Sequence, residues 1–405
     1  MSSRTKYFVV STSTCLTLLL LIGSVLGRSA SADDTYKHLG VFSDVVSRIK
    51  SEYVEEPDMK SVTLGALNGM LEAIDPFASY LNADQYKEYL KTKDLKRADV
   101  GLIISKKYGY LGEVGVVDAI PGSAAAKAGL STGDMIETIG GVATRDMPLA
   151  YAAMLLRGDA GSSVELTVIR ARHPEPAPIK LTRAVNPMPP VESRMLANKV
   201  GYINVDALSP EVVKQVATGA QQLQKDGAQK ILLDLRNCGA GSPDDGVALA
   251  NVFLNKGRIS YLVGQKVARQ NFEADPAKAV TALPLAVLVN RGTAGGAEIA
   301  AAALQDNKRA QLVGERTYGD AAMRKAITME DGGAIILSVA KYYSPDGSPI
   351  QDKQVTPANP VSDADAQIEV DDNGEPLTDT PEKPQQKKVE DDAVVKKALE
   401  LLAKA

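Results

Sequence analysis

The chain has 405 residues, 44% hydrophobic and 24% charged, which is enough apolar material for two or three domains and too much for a disordered chain. Lys and Arg number 46 against 50 Asp and Glu, so no basic surplus points to nucleic acid as a partner. Two His (His38, His173) and two Cys (Cys15, Cys238) are too few for a metal cage or a disulfide framework, and they leave Ser-His-Asp chemistry poorly supplied.

In chain order, Arg4 and Lys6 precede an apolar run at 15–26, and Ala30-Ser31-Ala32 follows as a small-residue cleavage pattern. Residues 1–32 read as a signal peptide. The alternative is an uncleaved N-terminal anchor, which Ser11, Thr12, Ser13 and Thr14 oppose by diluting the first half of the span. The protein is therefore expected to be exported, to the periplasm or cell envelope. Residues 33–97 carry helical spacing, with Leu39, Phe42, Val46 and Ile49 and then Leu64, Leu67 and Leu71, and read as short packed helices. From 98 to 184 short β-rich runs (114–117, 164–169) alternate with turns at Pro121-Gly122 and Gly140-Gly141, a small and mostly β module.

The stretch 185–361 alternates strand and helix. Strand 202–205 leads to a helix with Val213, Val216, Ala220 and Leu223 on one face. Strands at 231–235, 285–289 and 311–313 follow, with an Ala-rich helix after Gly296. Residues 362–392, rich in Asp, Glu, Pro, Lys and Gln, read as a disordered linker, and 393–405 regain a helical stripe. The fold class is multidomain α/β.

Six runs carry a more specific signal: GALNGMLEAIDPFASYL (65–81), DAIPGSAAAKAGLSTGDMIETIGG (118–141), GYINVDALSP (201–210), ILLDLRNCGAG (231–241), VNRGTAGGAEIAAAALQDNKRAQLVGERTYGD (289–320) and SVAKYYSPDGSPIQDKQVTP (338–357). In this order they resemble the carboxyl-terminal processing (tail-specific) serine peptidases, over nearly the whole chain after residue 32. The resemblance implies an N-terminal helical segment, a PDZ domain at 98–184, an α/β core related to the crotonase and ClpP folds at 185–361, and a C-terminal tail helix. It implies that Gly101, Leu102, Ile103 and Ile104 receive a peptide's terminal carboxylate on backbone N–H groups while the peptide adds as a strand. Leu149, Ala152 and Leu156 would supply the other wall. Helical spacing alone assigns those three equally to groove or core.

The catalytic positions depart from the family. Where active relatives read Ser-Ala-Ser-Ala-Ser-Glu, with the middle Ser as nucleophile, this chain reads Thr293-Ala294-Gly295-Gly296-Ala297-Glu298. Gly295 has no side chain and forms no acyl-enzyme. The family's general base, a Lys in Thr-Phe-Gly-Lys-Gly, falls at Asp320 within Thr317-Tyr318-Gly319-Asp320-Ala321, and its assisting Gln falls at Arg324, placed to pair with Asp320 if that stretch is helical. The oxyanion segment reads Arg236-Asn237-Cys238-Gly239-Ala240-Gly241, so Ala240 or Gly241 would be the surviving backbone donors.

Substitute chemistry has three candidates: Thr293, the Cys238 thiol, and an Asp320/Glu298 carboxylate pair. Each has a plain structural alternative, and no His is expected beside Cys238. No pattern argues for a nucleotide, haem, flavin or zinc cofactor.

The expectation is an exported family member that binds protein C-terminal tails without cutting them, with an active relative or a second copy of the chain as further partners and no nucleic acid. An active serine-type endopeptidase with a non-standard nucleophile and a structural oligomerisation scaffold are the alternatives.

Overall fold

The helical spacing of the first segment forms α1 (Ala32–Glu52) and α2 (Met59–Glu72). Residues 32–93, 98–106, 113–145, 147–170, 173–186, 188–362 and 389–404 are described in the computed structural model. They fall into two compact units that divide between Ala66 and Leu67. The expectation that the α1 stripe is packed is not met in its own unit: Leu39 and Phe42 are exposed, and Val46 and Ile49 are only half-buried. So short a unit has too little chain to cover an apolar face. The export segment read at 1–32 and most of the linker read at 362–392 lie outside the described residues. Among the described residues no helix is long and apolar enough to cross a membrane.

Past α2 the chain turns through Asp75, whose carboxylate caps the Phe77 N–H at 3.0 Å. Strand β1 (Ser79–Leu81) and helix α3 (Ala83–Lys93) follow. The β-rich module consists of β2 (Leu102–Ser105), β3 (Val114–Ala119), α4 (Ala124–Lys127), β4 (Met135–Ile139), β5 (Val142–Ala143), α5 (Leu149–Leu156), β6 (Ser163–Arg170) and β7 (His173–Thr182). Its sheet runs β2-β3-β4-β6-β7, with β5 on β4, and β2 is an edge strand. Alternation along β3, β4 and β6 sends Val114, Val116, Ile136, Leu166 and Val168 into a separate small core.

The second half builds a six-stranded sheet from β8 (Glu192–Leu196), β9 (Val200–Asn204), β10 (Lys230–Asp234), β13 (Leu285–Val289), β14 (Ala310–Gly314) and β17 (Asn359–Pro360), in the order β17-β14-β13-β10-β9-β8. All neighbours pair parallel except β8, which runs against β9. Helices α6 (Pro210–Lys225), α7 (Pro243–Phe253) and α8 (Gly296–Asp306) cover one face, and α10 (Ala393–Lys404) covers the other. Period-two alternation explains the continuous apolar runs. Ile231, Leu233, Leu285 and Val287 enter the first core, while Leu232, Ala286 and Leu288 enter the second. Each such Val, Leu or Ile side chain contributes about 1.5–3 kcal/mol on burial. On α6 the buried face is Val212, Val216, Ala220 and Leu223, with Val213 at its margin.

A third sheet joins β1, β16 (Ala334–Tyr343), β11 (Arg258–Val263) and β12 (Gln270–Glu273), with β15 (Ala322–Thr328) on the side of β16. The segment read as purely helical thus contributes a strand to it. The short helix α9 (Ile350–Lys353) precedes β17.

Candidate active site

Parallel strands of an α/β sheet open a crevice beyond their carboxyl ends. Here the loops that leave β10, β13 and β14 meet in that crevice. Asn290 staples two of them: its Oδ1 accepts the N–H groups of Asn237 and Gly292, both at 3.0 Å, and its Nδ2 donates to Asn237 Oδ1 at 2.8 Å. The Ala294 N–H donates to the Cys238 carbonyl at 3.1 Å, and the Tyr318 N–H to the Thr293 carbonyl at 2.9 Å. Gly295, Asp320, Ala240 and Gly241 therefore come together although 80 residues of sequence separate Ala240 from Asp320.

Gly295 is the N-cap of α8, with φ +61° and ψ −122°. This is the sharp strand-to-helix turn on which a nucleophile is presented in other hydrolases, and it strains any residue with a Cβ. There is room for a side chain, since a Cβ built here has as nearest atoms the carbonyl oxygens of Asp320 at 3.7 Å and Gly241 at 3.8 Å. Both atoms are acceptors, so neither would donate a hydrogen bond to a side chain placed there. Ala240 is held in place by its carbonyl, which accepts the Leu208 N–H at 2.8 Å.

Glu298, fully buried one turn into α8, organises the turn. Its Oε2 accepts from the N–H groups of Gly295 (3.1 Å) and Asp320 (2.7 Å), and its Oε1 accepts from Gly319 N–H (2.6 Å) and the Thr317 hydroxyl. Burial pushes its carboxyl up to about 7 against the pull of these donors. All four lone-pair directions are used by local donors, so Glu298 does not form a reactive pair with Asp320.

Asp320 forms an ion pair with Arg324. The expected helix is absent: Arg324 lies on β15, just past a register shift between Met323 and Arg324, and reaches back to Asp320. Its guanidinium sits 4.2 Å over the Phe77 ring, and Phe77 meets Tyr318 edge-on with centroids 6.3 Å apart. The position expected for a general base thus carries a carboxylate paired with its neighbour.

The other candidate nucleophiles are committed elsewhere. Thr293 is fully buried, donates to the Leu235 carbonyl at 2.7 Å and accepts the Asn290 N–H at 3.0 Å. Cys238 is a free, fully buried thiol whose ionisation is pushed well above the ordinary range by desolvation, with Asp118, Asp206 and Asp234 adding to it. Among the described residues no three His, Cys, Asp or Glu side chains converge on a metal-sized site.

In the β-rich module, Gly101 (φ +80°) has its N–H on the Asp99 carboxylate at 2.7 Å, and a Cβ there would overlap the Ser123 side chain at 2.1 Å. Leu102 and Ile104 lean on the module's own core, where Ala152 and Leu156 are buried. Ile103 and Leu149 pack on a cluster of Phe77, Val117, Ala294 and Tyr318, two of which adjoin the catalytic positions. Phe77 and Asp118 were not singled out by sequence reasoning. Their one signal was membership of the runs 65–81 and 118–141.

A PDZ sheet seated on an α/β core with its crevice at the parallel strand ends defines a PDZ-containing peptidase fold. The model of Peptidase family S41 matches residues 199–361 and that of the PDZ domain matches 115–170. The carboxy-terminal-processing protease of Bartonella bacilliformis is 30% identical over 365 residues, 88% of this chain and 82% of that protein. The carboxyl-terminal-processing protease of Synechocystis is 34% identical over 333 residues, 81% and 76% of the two chains. The solved photosystem II D1 C-terminal processing protease superposes with a TM-score of 0.65 at 26% identity, covering 82% of this chain and 95% of that one. The chain belongs to the carboxyl-terminal processing protease family.

Proposed function

We propose that this family member binds the C-terminal tails of proteins through its PDZ domain and does not cleave them. The observation that carries the reading is Gly295 at the turn where a nucleophile is presented, facing two carbonyl oxygens. The Asp320–Arg324 ion pair at the base position supports it, as does the commitment of Thr293 and Cys238 to buried roles. Among the described residues, a carbonyl carbon bound at this turn meets no side-chain nucleophile, and the Asp320 carboxylate beside it is held by Arg324.

The apolar run at 15–26 with its small-residue site supports an exported location, and an active relative or a second copy are the partners a scaffold of this kind would serve. The closure of Ile103 and Leu149 onto the core favours, as a second reading, a purely structural protein with its groove shut.

The test is cleavage of an unfolded substrate with an apolar C-terminus by wild type beside Gly295→Ser/Asp320→Lys/Arg324→Gln, together with binding of apolar-ended peptides against their amidated forms. An inert wild type that prefers the free carboxylate is expected. Cleavage by wild type overturns the non-proteolytic part, and equal binding of amidated peptides overturns tail recognition.

A further inference from the structure

Tail binding leaves one buried carboxylate without a use. Asp118 on β3 stands directly opposite Ile103 on β2, so both side chains leave the PDZ sheet on one face. That face meets the loop between β10 and α7: a Cβ built on Gly239 would lie 3.0 Å from Ile103 Cδ1 and 3.4 Å from Asp118 Cβ. Asp118 is 5% exposed; its Oδ1 accepts the Ala119 N–H at 2.8 Å, and its Oδ2 has no hydrogen-bond partner. A buried acceptor left unpaired is costly, and more so when it is charged.

The side chains that face it offer no relief. Asp206, in the loop after β9, adds like charge, the Cys238 thiol is held neutral beside it, and the Gly239 N–H is the one backbone donor of that loop turned toward it. β2 presents the apolar Ile103. Among the described residues no cation offsets the carboxylate, and burial pushes it up to about 7.

We propose that Asp118 makes the seating of the PDZ groove on the α/β core proton-linked: the neutral carboxyl keeps Ile103 and Leu149 packed on Phe77, Val117, Ala294 and Tyr318, and its ionisation releases them. The consequence for tails rests on the tail-binding reading above. The sign follows from the two states. Once exposed by opening, the carboxyl titrates near 4, whereas in the closed state it holds its proton to about pH 7. The closed state therefore has its full advantage below about pH 4 and loses it as pH rises to 7. The open-to-closed ratio grows by about tenfold per pH unit across that interval and levels off above it.

Amide hydrogen exchange on the whole protein, corrected for its intrinsic pH dependence, reads opening at 102–105 and 238–241 without any tail present. Wild type is expected to open about tenfold more per pH unit from 5 to 7. Asp118→Asn, near in shape and unable to ionise, is expected to stay protected at every pH. Asp206→Asn, which removes the like charge, is expected to end its rise at lower pH, and it keeps the test open should Asp118→Asn fold poorly.

Exchange in wild type that ignores pH, or that rises equally in Asp118→Asn, overturns the proposal. A fluorescent peptide with an apolar free C-terminus is then titrated across the same pH range. Affinity that tracks opening supports both readings. Proton-linked opening with no peptide bound at any pH supports the latch and removes the tail-binding reading alone.

Discussion

Four hydrogen bonds end on the carboxylate of Glu298, which has no contact with solvent, and three of their donors are backbone N–H groups at the two turns that form the site. Truncation to Ala would leave those donors buried and unpaired, so Glu298→Ala is expected to lower stability by about 3–5 kcal/mol in urea unfolding. The carboxyl sits near 7 when folded, above its unfolded value, so the stability linked to its proton is complete below about pH 4 and is lost as pH rises through 7. Glu298→Gln should therefore flatten that part of the stability profile between pH 5 and 8, by on the order of 3 kcal/mol. Calorimetric or urea midpoints across the range check it, and an unchanged slope would remove Glu298 as its source. At Gly295, a lone Ser substitution has room for its side chain but takes φ +61° with a Cβ. It is expected to cost about 1–2 kcal/mol and to leave the protein inert, because Asp320 and Arg324 still occupy the partner positions.

At the scale of elements, α10 has 12 residues, too few to persist alone in water. It is held by Val394, Val395, Ala398 and Leu402 against the sheet and by one ionic clamp. Arg236 donates to both oxygens of Asp234, at 2.9 and 2.7 Å, and to Asp392 at 2.6 Å. Asp392 in turn caps the helix, accepting the Val394 and Val395 N–H groups at 2.7 and 3.1 Å. Arg236→Ala would strand the buried Asp234 carboxylate, with the Tyr202 hydroxyl at 3.0 Å as its remaining side-chain donor. The expected loss is about 3–5 kcal/mol, and limited proteolysis should release α10 before the rest of the chain is cut. Equal cleavage rates in wild type and variant would show that the apolar stripe suffices without the clamp.

At the scale of the molecule, residues 67–405 form one unit in which the PDZ sheet and the α/β core share a cluster of Phe77, Val117, Ala294 and Tyr318. A ligand that binds the folded chain alone raises its stability by about 2.7 kcal/mol at a hundred times its dissociation constant. An apolar-ended peptide is therefore expected to raise the thermal midpoint measurably, less so at pH 5 than at pH 7.5 because the Asp118 carboxyl holds the groove shut at the lower pH. A shift independent of pH would separate tail binding from the Asp118 latch.

The sequence by itself determined the order of strands and helices and that Gly295 brings no side chain to its turn. Short continuous apolar runs such as 231–235 and 285–289, set in a strand-helix alternation, read as strands buried on both faces, and a glycine has no side chain in any fold. Spacing also marked the helix face at Val216, Ala220 and Leu223, since local periodicity is a property of the chain. Tertiary structure decided what those positions do together. The pairing of Asp320 with Arg324 came from a strand with a register shift beside Arg324, where a helical reading would have served equally well. The stacking of Phe77 on Arg324 spans 247 positions, and the burial of Asp118 against Gly239 spans 121. Neither distance is encoded in any local pattern. They depend on where the PDZ sheet comes to rest on the core, which is settled by the packing of many side chains at once.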